Sequence, residues 1–126
     1  MVYRIMQNEL NNPTIVICPN DTNRSYASDF TNFSNSNISY FVGIDADETL
    51  PHAILSGDRN LVTNGVDVHT GFAAIRTTDK PTWSSKIHNR AGNIGLADGS
   101  VQQTDSKRLQ NIFQSTGTNL VRLAIP

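Results

Sequence analysis

The sequence predicts one α+β domain built around a mainly antiparallel β-sheet. Three observations support this class: an apolar pattern of helical period at the start, several short strand-like segments separated by turn formers, and an amphipathic segment followed by a final alternating strand. Strands joined by short turns pair antiparallel. The length of 126 residues suffices for one hydrophobic core.

The first ten residues carry apolar side chains at helical spacing, namely Val2, Ile5, Met6 and Leu10. Asn12-Pro13 ends this pattern, because the residue before a proline is disfavoured in the α region. No capping residue precedes the pattern. The sequence therefore predicts that residues 1–12 are the C-terminal end of a longer helix, and that residues 13–126 form the globular domain.

Strand-like and loop segments then alternate along the chain. The β-branched run "TIVIC" (14–18) predicts a strand, as do residues 38–44 and 53–58. Between them lie a long polar loop (19–37) and an acidic loop (45–52). Asn64-Gly65 predicts a hairpin within residues 61–71, whereas residues 72–92 have no clear pattern apart from Trp83, expected to be a partly buried anchor.

A second hairpin is predicted around Asp98-Gly99. If these are the central residues of a type I′ turn, Ala97 pairs with Ser100, and the apolar side chains of Ile94, Leu96 and Val101 share one face. After this hairpin, residues 104–117 predict a short helix capped by Thr104 or Asp105 and ended by Gly117, with Leu109, Ile112 and Phe113 on its apolar face. Residues 120–126 predict the final strand.

The composition excludes several classes of protein. The net charge of −1, the pI near 6.2 and the absence of a basic stripe argue against nucleic-acid binding. No apolar run spans a bilayer, and no signal peptide is recognisable. The low content of charged residues, 17%, and the many uncharged polar residues favour an extracytoplasmic protein.

The candidate site residues each have alternative interpretations. His88 is expected to be a buried, hydrogen-bonded structural histidine, with contact to Asp98, metal ligation and base catalysis as alternatives. The lone cysteine, Cys18, is expected to be a buried thiol at a strand end without a local base. Asp58 and Arg59 are expected to form a structural ion pair or turn, with Asp58 accepting backbone N–H bonds.

The acidic loop suggests one metal. Oxygen ligands suit Ca²⁺, so Asp45, Asp47 and Glu48 are candidate ligands, although their spacing does not fit the EF-hand pattern. A solvated acidic loop without a metal is the alternative. No other cofactor is expected, and no sequence motif of a nucleophile, a zinc hydrolase or a phosphate-binding loop is present. The chain is therefore not expected to be an enzyme.

Several motifs together resemble a known family. His88, nine further residues and Asp98-Gly99, combined with Cys18-Pro19, "GDRN" (57–60) and the closing "RLAIP", resemble bacterial prepilin-like proteins with a C-terminal His-x9-Asp-Gly domain. This family, abundant in planctomycetes and verrucomicrobia, is related to type II secretion pseudopilins. The similarity extends over most of residues 8–126, although the prepilin cleavage motif is missing.

The resemblance implies a pilin-like fold, in which the end of an N-terminal helix packs on the sheet. It implies a structural subunit in filament assembly or type II secretion, anchored in the inner membrane through an apolar helix absent from this sequence, with a periplasmic or filament-exposed domain. Partners would be other pilin-like subunits, contacted through the missing N-terminal helix, and secretion or pilus assembly proteins, with the two loops as variable contact regions. The alternative is an extracytoplasmic binding module for calcium, a glycan or a protein.

Overall fold

A six-stranded antiparallel sheet forms the centre of the fold in the computed structural model, which describes residues 2–126. The predicted α+β class with a mainly antiparallel sheet is confirmed. The nine strands are β1 (Tyr40–Gly43), β2 (Ile54–Asp58), β3 (Leu61–Thr63), β4 (Val66–Asp67), β5 (Gly71–Arg76), β6 (Thr82–Trp83), β7 (Ala91–Leu96), β8 (Val101–Asp105) and β9 (Leu120–Ile125). The large sheet has the order β5-β9-β1-β2-β7-β8, and a small sheet has the order β4-β3-β6.

The helices are few and short: α1 (Val2–Ile5), α2 (Gln7–Leu10) and α3 (Ser106–Ser115). The helix predicted at the start is thus present, but it is interrupted at Met6 and ends at Asn11, whose φ is 60°. Residue 1 of the predicted helical segment lies outside the described residues. None of the three α-helices in residues 2–126 has the length and apolar character of a bilayer-spanning segment.

The strand predicted for "TIVIC" is wrong. Residues Pro13–Val16 form a 3₁₀ helix, because Pro13 occupies its first position and the side chain of Asn12 accepts a hydrogen bond from the Thr14 N–H at 3.0 Å. The long segment 19–37 that follows is irregular, as predicted, apart from a short 3₁₀ helix at Asn35–Asn37. It also contributes Ala27 and Phe33 to a small second core.

The two faces of the large sheet are covered by different parts of the chain. Phe41 packs in the main core with Leu109 and Phe113 of α3. Neighbouring Tyr40 packs with Tyr3 of α1 in the second core. Because successive side chains of a strand point to opposite faces, α3 and the opening helical segment lie on opposite sides of the sheet.

The end of the chain folds as the sequence predicts. The side chain of Asp105 accepts a hydrogen bond from the Arg108 N–H at 2.7 Å and caps α3, whose three predicted apolar residues are buried. Gly117, with φ 78°, follows the end of α3. The predicted alternation in β9 is confirmed, since Val121, Leu123 and Ile125 are buried.

Residues 72–92 contain structure that the sequence did not reveal. Strand β5 pairs along its whole length with β9 at one edge of the large sheet. Trp83 is more buried than expected, with 3% of its surface exposed, and its Nε1 donates to Thr104 Oγ1 at 3.0 Å. The predicted Asn64-Gly65 hairpin is confirmed, with φ of 51° and 76° at the two residues.

The hairpin at Asp98-Gly99 is present, but the predicted type I′ turn and register are wrong. Only Gly99, with φ 85°, has a positive φ, and Leu96 N–H donates to Ser100 O at 2.9 Å. The loop therefore has three residues and fits a type I turn followed by a glycine bulge. Gly95, not Leu96, pairs with Val101, so Val101 points away from the core and is 73% exposed.

Candidate functional site

Cys18, Asp58 and His88 meet at one place in the structure. The Nε2 atom of His88 lies 3.4 Å from the Sγ of Cys18 and 3.5 Å from the Oδ2 of Asp58. One ligand atom from each residue lies within 4.8 Å of the other two. Cys18 and Asp58 are buried, and the side chain of His88 is 20% exposed. We call these three residues the Cys-Asp-His cluster.

Cys18 is placed by a turn rather than by a strand end. The Asp21 N–H donates to Cys18 O at 2.9 Å, and Pro19 stands at the second position of this turn, where its fixed φ is favourable. The Asp21 carboxylate then forms two hydrogen bonds with Arg59, at 2.7 Å from Nε and 2.6 Å from Nη2. Arg59 therefore forms a structural ion pair, but its partner is Asp21 rather than Asp58, and this pair fixes the turn against the end of β2.

Asp58, the last residue of β2, is fully buried. Its Oδ2 accepts hydrogen bonds from the backbone N–H and the side-chain amide of Asn93 at 2.6 and 3.0 Å, which confirms the predicted acceptor role. Its Oδ1 has no hydrogen-bond partner among residues 2–126. Burial raises the pKa of Asp58, although the hydrogen bonds from Asn93 and the charge of His88 act against this rise.

His88 lies on a tightly constrained loop between β6 and β7. Ile87, Asn89 and Arg90 have φ of 64°, 48° and 66°, a region that β-branched Ile87 in particular disfavours. The buried side-chain amide of Asn60 donates to the carbonyls of Lys86 and Ala91 at 2.9 and 3.2 Å. The surrounding structure thus holds a strained backbone, and the loop presents His88 to Cys18.

The geometry distinguishes between chemistries. In a Cys-His-Asp relay, the thiol contacts one ring nitrogen and the carboxylate orients the other. Here both Cys18 and Asp58 approach the same atom, His88 Nε2. The imidazole therefore does not lie between the thiol and the carboxylate, as it would in a relay. A metal ion, by contrast, can be bound by a sulfur, a nitrogen and an oxygen atom that converge on one point.

Asp98 does not contact His88. Its carboxylate accepts from the N–H and the hydroxyl of Ser100 at 2.8 and 2.6 Å, within its own turn. These hydrogen bonds lower the pKa of Asp98. The alternative of a His88–Asp98 contact is therefore wrong, and the predicted hydrogen-bonded histidine is found with Cys18 as its partner.

The carboxylates of the acidic loop do not lie together as a group of metal ligands. Asp45 forms a bidentate ion pair with Arg122, and Asp47 accepts a hydrogen bond from the Thr49 N–H at 2.8 Å. These bonds lower the pKa of both residues. Within residues 2–126, Asp45, Asp47 and Glu48 do not form a group of potential metal ligands. The predicted calcium site gains no support from this arrangement.

The face of the large sheet that carries α1 has an apolar, partly open surface. The hydroxyls of Tyr3 and Ser56 lie 3.2 Å apart and join α1 to β2. Beside this contact lies a groove of about 390 Å³ that is lined mainly by apolar groups, including Val2, Val42 and Ala124. On the edge strand β5, Phe72 points to this same face and is 67% exposed.

Comparisons of the chain with protein-family models, with curated proteins and with solved structures find no match. The motifs named in the sequence nevertheless meet in space. Cys18-Pro19, the "GDRN" segment and His88 form one site, while Asp98-Gly99 forms a separate turn. A contact between His88 and Asp98 was only an alternative interpretation of the sequence, and the acidic neighbour of His88 is instead Asp58.

Proposed function

We propose that the chain is the globular domain of a prepilin-like filament subunit, related to type II secretion pseudopilins, and that its role is structural and non-catalytic. Its partners would be other pilin-like subunits and the secretion or pilus assembly machinery. The compartment would be the periplasm, with an inner-membrane anchor, or an extracellular filament. The resemblance of the motifs is one support for this proposal.

The observation that carries the proposal is that the opening helical segment packs on the sheet through one side and exposes apolar side chains on the other. Tyr3 anchors this segment to the sheet, whereas Ile5 is 82% exposed, and Val2 and Met6 are also exposed. Exposed apolar side chains adjoining one another mark a surface that another element covers. We propose that a longer apolar helix continues upstream of these residues and that neighbouring helices cover this surface in a filament.

The sheet face beside α1 supports the same proposal. The open groove adjoins the helix, and exposed Phe72 extends the apolar surface to the β5 edge. Edge strands and exposed apolar patches are the parts of a sheet that favour association. In this account the face that carries α1 is turned toward neighbouring subunits, and the polar loop 19–37 and the acidic loop 45–52 are contact regions.

The contacts of the ionisable groups favour a non-catalytic role. The thiol and the carboxylate of the Cys-Asp-His cluster share one imidazole nitrogen instead of flanking the ring.

The carboxylates of Asp45 and Asp47 are engaged by Arg122 and Thr49. A calcium-binding module therefore has less support than an assembly subunit.

The experiment compares two charge-introducing variants of the same helical segment in the source organism. Ile5→Asp should abolish incorporation into membrane-associated or filamentous assemblies, measured by sedimentation and immunoblotting. Gln7→Asp, at another exposed position of the segment, should assemble like the wild type. Both isolated domains should keep the wild-type Tm. Normal assembly of Ile5→Asp would contradict the proposal.

A further inference from the structure

We propose that the Cys-Asp-His cluster binds one Zn²⁺ ion, with Cys18 Sγ, the Asp58 carboxylate and His88 Nε2 as its protein ligands. The ion would be structural, because it would connect three segments that are far apart in sequence. This inference does not depend on the proposed role in filament assembly. It rests on the identity of the ligands, their separations, the buried carboxylate and the way the surrounding structure orients the donor atoms.

The ligand set selects the metal. A thiolate sulfur and an imidazole nitrogen are typical of Zn²⁺, whereas Ca²⁺ and Mg²⁺ require oxygen ligands. Zn²⁺ carries two positive charges, and it would be balanced by the Cys18 thiolate and the Asp58 carboxylate, with neutral His88 as the third ligand. The buried site would then have no net charge, which avoids the large cost of an unpaired buried ion.

Two of the three separations between ligand atoms match those of a tetrahedral zinc site, and the third is no longer than 4.8 Å. Bond lengths of about 2.3 Å to sulfur and about 2.0 Å to nitrogen or oxygen place neighbouring ligands of a tetrahedron about 3.5 Å (S to N) and about 3.3 Å (N to O) apart. The corresponding separations in the structure are 3.4 Å between Cys18 Sγ and His88 Nε2, and 3.5 Å between His88 Nε2 and Asp58 Oδ2. An ion could therefore be bound without large movement of these two pairs.

The buried carboxylate is an independent observation. Asp58 is fully buried, and its Oδ1 has no hydrogen-bond partner among the described residues. The nearby guanidinium of Arg59 is engaged with Asp21 and does not neutralise it. The remaining basic neighbour of Asp58 is His88 Nε2, at 3.5 Å, which carries a charge only when it is protonated. A buried carboxylate without a fixed cationic partner is costly. A bound Zn²⁺ would supply the missing positive charge, and Oδ1 could provide a second oxygen.

The structure around the ligands orients them before any ion arrives. Asn93 holds Asp58 Oδ2 through two hydrogen bonds, and Asn60 holds the loop of His88 through the carbonyls of Lys86 and Ala91. Such outer contacts are typical of metal sites, where they fix the orientation of each ligand. Because Cys18 and Asp58 are buried, the ion would enter past His88, whose side chain is 20% exposed, and a water from that side would be a further ligand.

Binding requires one balanced proton step at the cysteine. The thiol S–H bond of Cys18 breaks, the sulfur forms a bond with Zn²⁺, and the proton passes to solvent. His88 binds through the lone pair of Nε2, so its ring proton resides on Nδ1 in the bound form. No change of oxidation state occurs, and no further reactant is needed.

The experiment uses the tag-free protein, freed of metal with a chelator and titrated with Zn²⁺ by calorimetry. We expect one ion per chain. At a free Zn²⁺ concentration of about a hundred times Kd, the Tm should rise by roughly 10 °C. Cys18→Ala should weaken binding by more than about 100-fold, since it removes a direct ligand. His69→Gln, which removes an exposed histidine outside the cluster, should bind like the wild type.

A second measurement keeps the test valid if Cys18→Ala fails to fold. Co²⁺ replaces Zn²⁺ in tetrahedral sites, and a bound thiolate gives the wild-type complex a sulfur-to-cobalt charge-transfer absorption in the near ultraviolet. Absence of that band, absence of Zn²⁺ binding, or unchanged binding by folded Cys18→Ala would each overturn the inference. Loss of binding in His69→Gln would also overturn it, because the ion would then be held at the surface.

Discussion

The Sγ of Cys18 lies 3.4 Å from the Nε2 of His88, although 70 positions separate the two residues in the chain. This contact joins the turn that follows the first 3₁₀ helix to the loop before β7. Asp58 completes the group from the end of β2. The contact therefore brings together residues from three of the segments that carry the resemblance to prepilin-like proteins, whereas Asp98-Gly99 forms a separate turn.

The packing of Trp83 against β7 makes Gly92 the glycine of this strand that is least able to accept a side chain. A Cβ at Gly92 would lie 2.7 Å from atoms of the buried Trp83 ring. We expect Gly92→Ala to lower the free energy of unfolding by about 3 kcal/mol, because the ring must move within a packed core. Denaturant unfolding followed by far-ultraviolet circular dichroism measures this change.

Gly95, on the same strand, is the matched control. A Cβ there would meet its nearest neighbour, the carbonyl oxygen of Ser56, at 3.8 Å, an ordinary contact. Gly95→Ala should be neutral or should stabilise the fold by about 0.5 kcal/mol, since alanine restricts the unfolded chain. Equal losses in the two variants would show that Trp83 does not set the requirement for glycine at position 92.

The turn at Gly99 gives a prediction based on backbone strain alone. Its φ is 85°, and a Cβ would contact nothing within 4 Å. Gly99→Val should therefore cost about 1–2 kcal/mol, the penalty of the left-handed region for an L-residue. Gly99→Asn should cost less, because asparagine tolerates this region. A valine variant that melts at the wild-type temperature would contradict the assigned turn geometry.

The Asp21–Arg59 ion pair predicts a pH-dependent contribution to stability. Burial acts to raise the pKa of Asp21, but the hydrogen bonds and charge of Arg59 outweigh it, and the pKa is lowered. A carboxyl with a lowered folded pKa stabilises the fold above its unfolded pKa of about 3.9, and this stabilisation is lost as the pH falls through the folded pKa. The loss in Asp21→Asn should thus be largest near neutral pH.

Tm values of the wild type and Asp21→Asn, measured from pH 7 down to about pH 2, check this expectation. The difference between them should begin to shrink below about pH 4, where the carboxyl of the unfolded chain takes up its proton, and should disappear as the pH falls through the lowered pKa of folded Asp21. Asp45→Asn is the matched control, because Asp45 also pairs with an arginine but is exposed; its effect on Tm should be small throughout. A Tm difference for Asp21→Asn that does not vary with pH would contradict the assigned electrostatic role.

The parts of the fold that the sequence predicted are those governed by local patterns. The amphipathic face of α3, its Asp105 cap and the alternation in β9 were all predictable, because each depends on residues within one or two turns of chain. The turn at Asp98-Gly99 was recognised, but its register was shifted by one residue. A dipeptide identifies a turn without fixing the loop length, and one residue of shift moves Val101 to the other face.

The candidate site was not predictable in the same way. Its three side chains come from segments that lie far apart in the sequence. They meet only because β2, β7 and the loop at His88 pack together, and no local periodicity of the sequence predicts that packing. The 3₁₀ helix at Pro13–Val16 illustrates the same point, since the cap from Asn12 and the position of Pro13 override the β-branched residues. The resemblance named these motifs together, but it did not predict that Cys18, Asp58 and His88 meet.

The most direct test of the proposed function is the mass and location of the native polypeptide. Antibodies against this domain would isolate it from the source organism, and mass spectrometry would give its N-terminus. The account predicts a polypeptide extended upstream by an apolar helix of about 20 residues, present in the inner-membrane or filament fraction. A native polypeptide that begins at Met1 and is found in neither fraction would contradict the account.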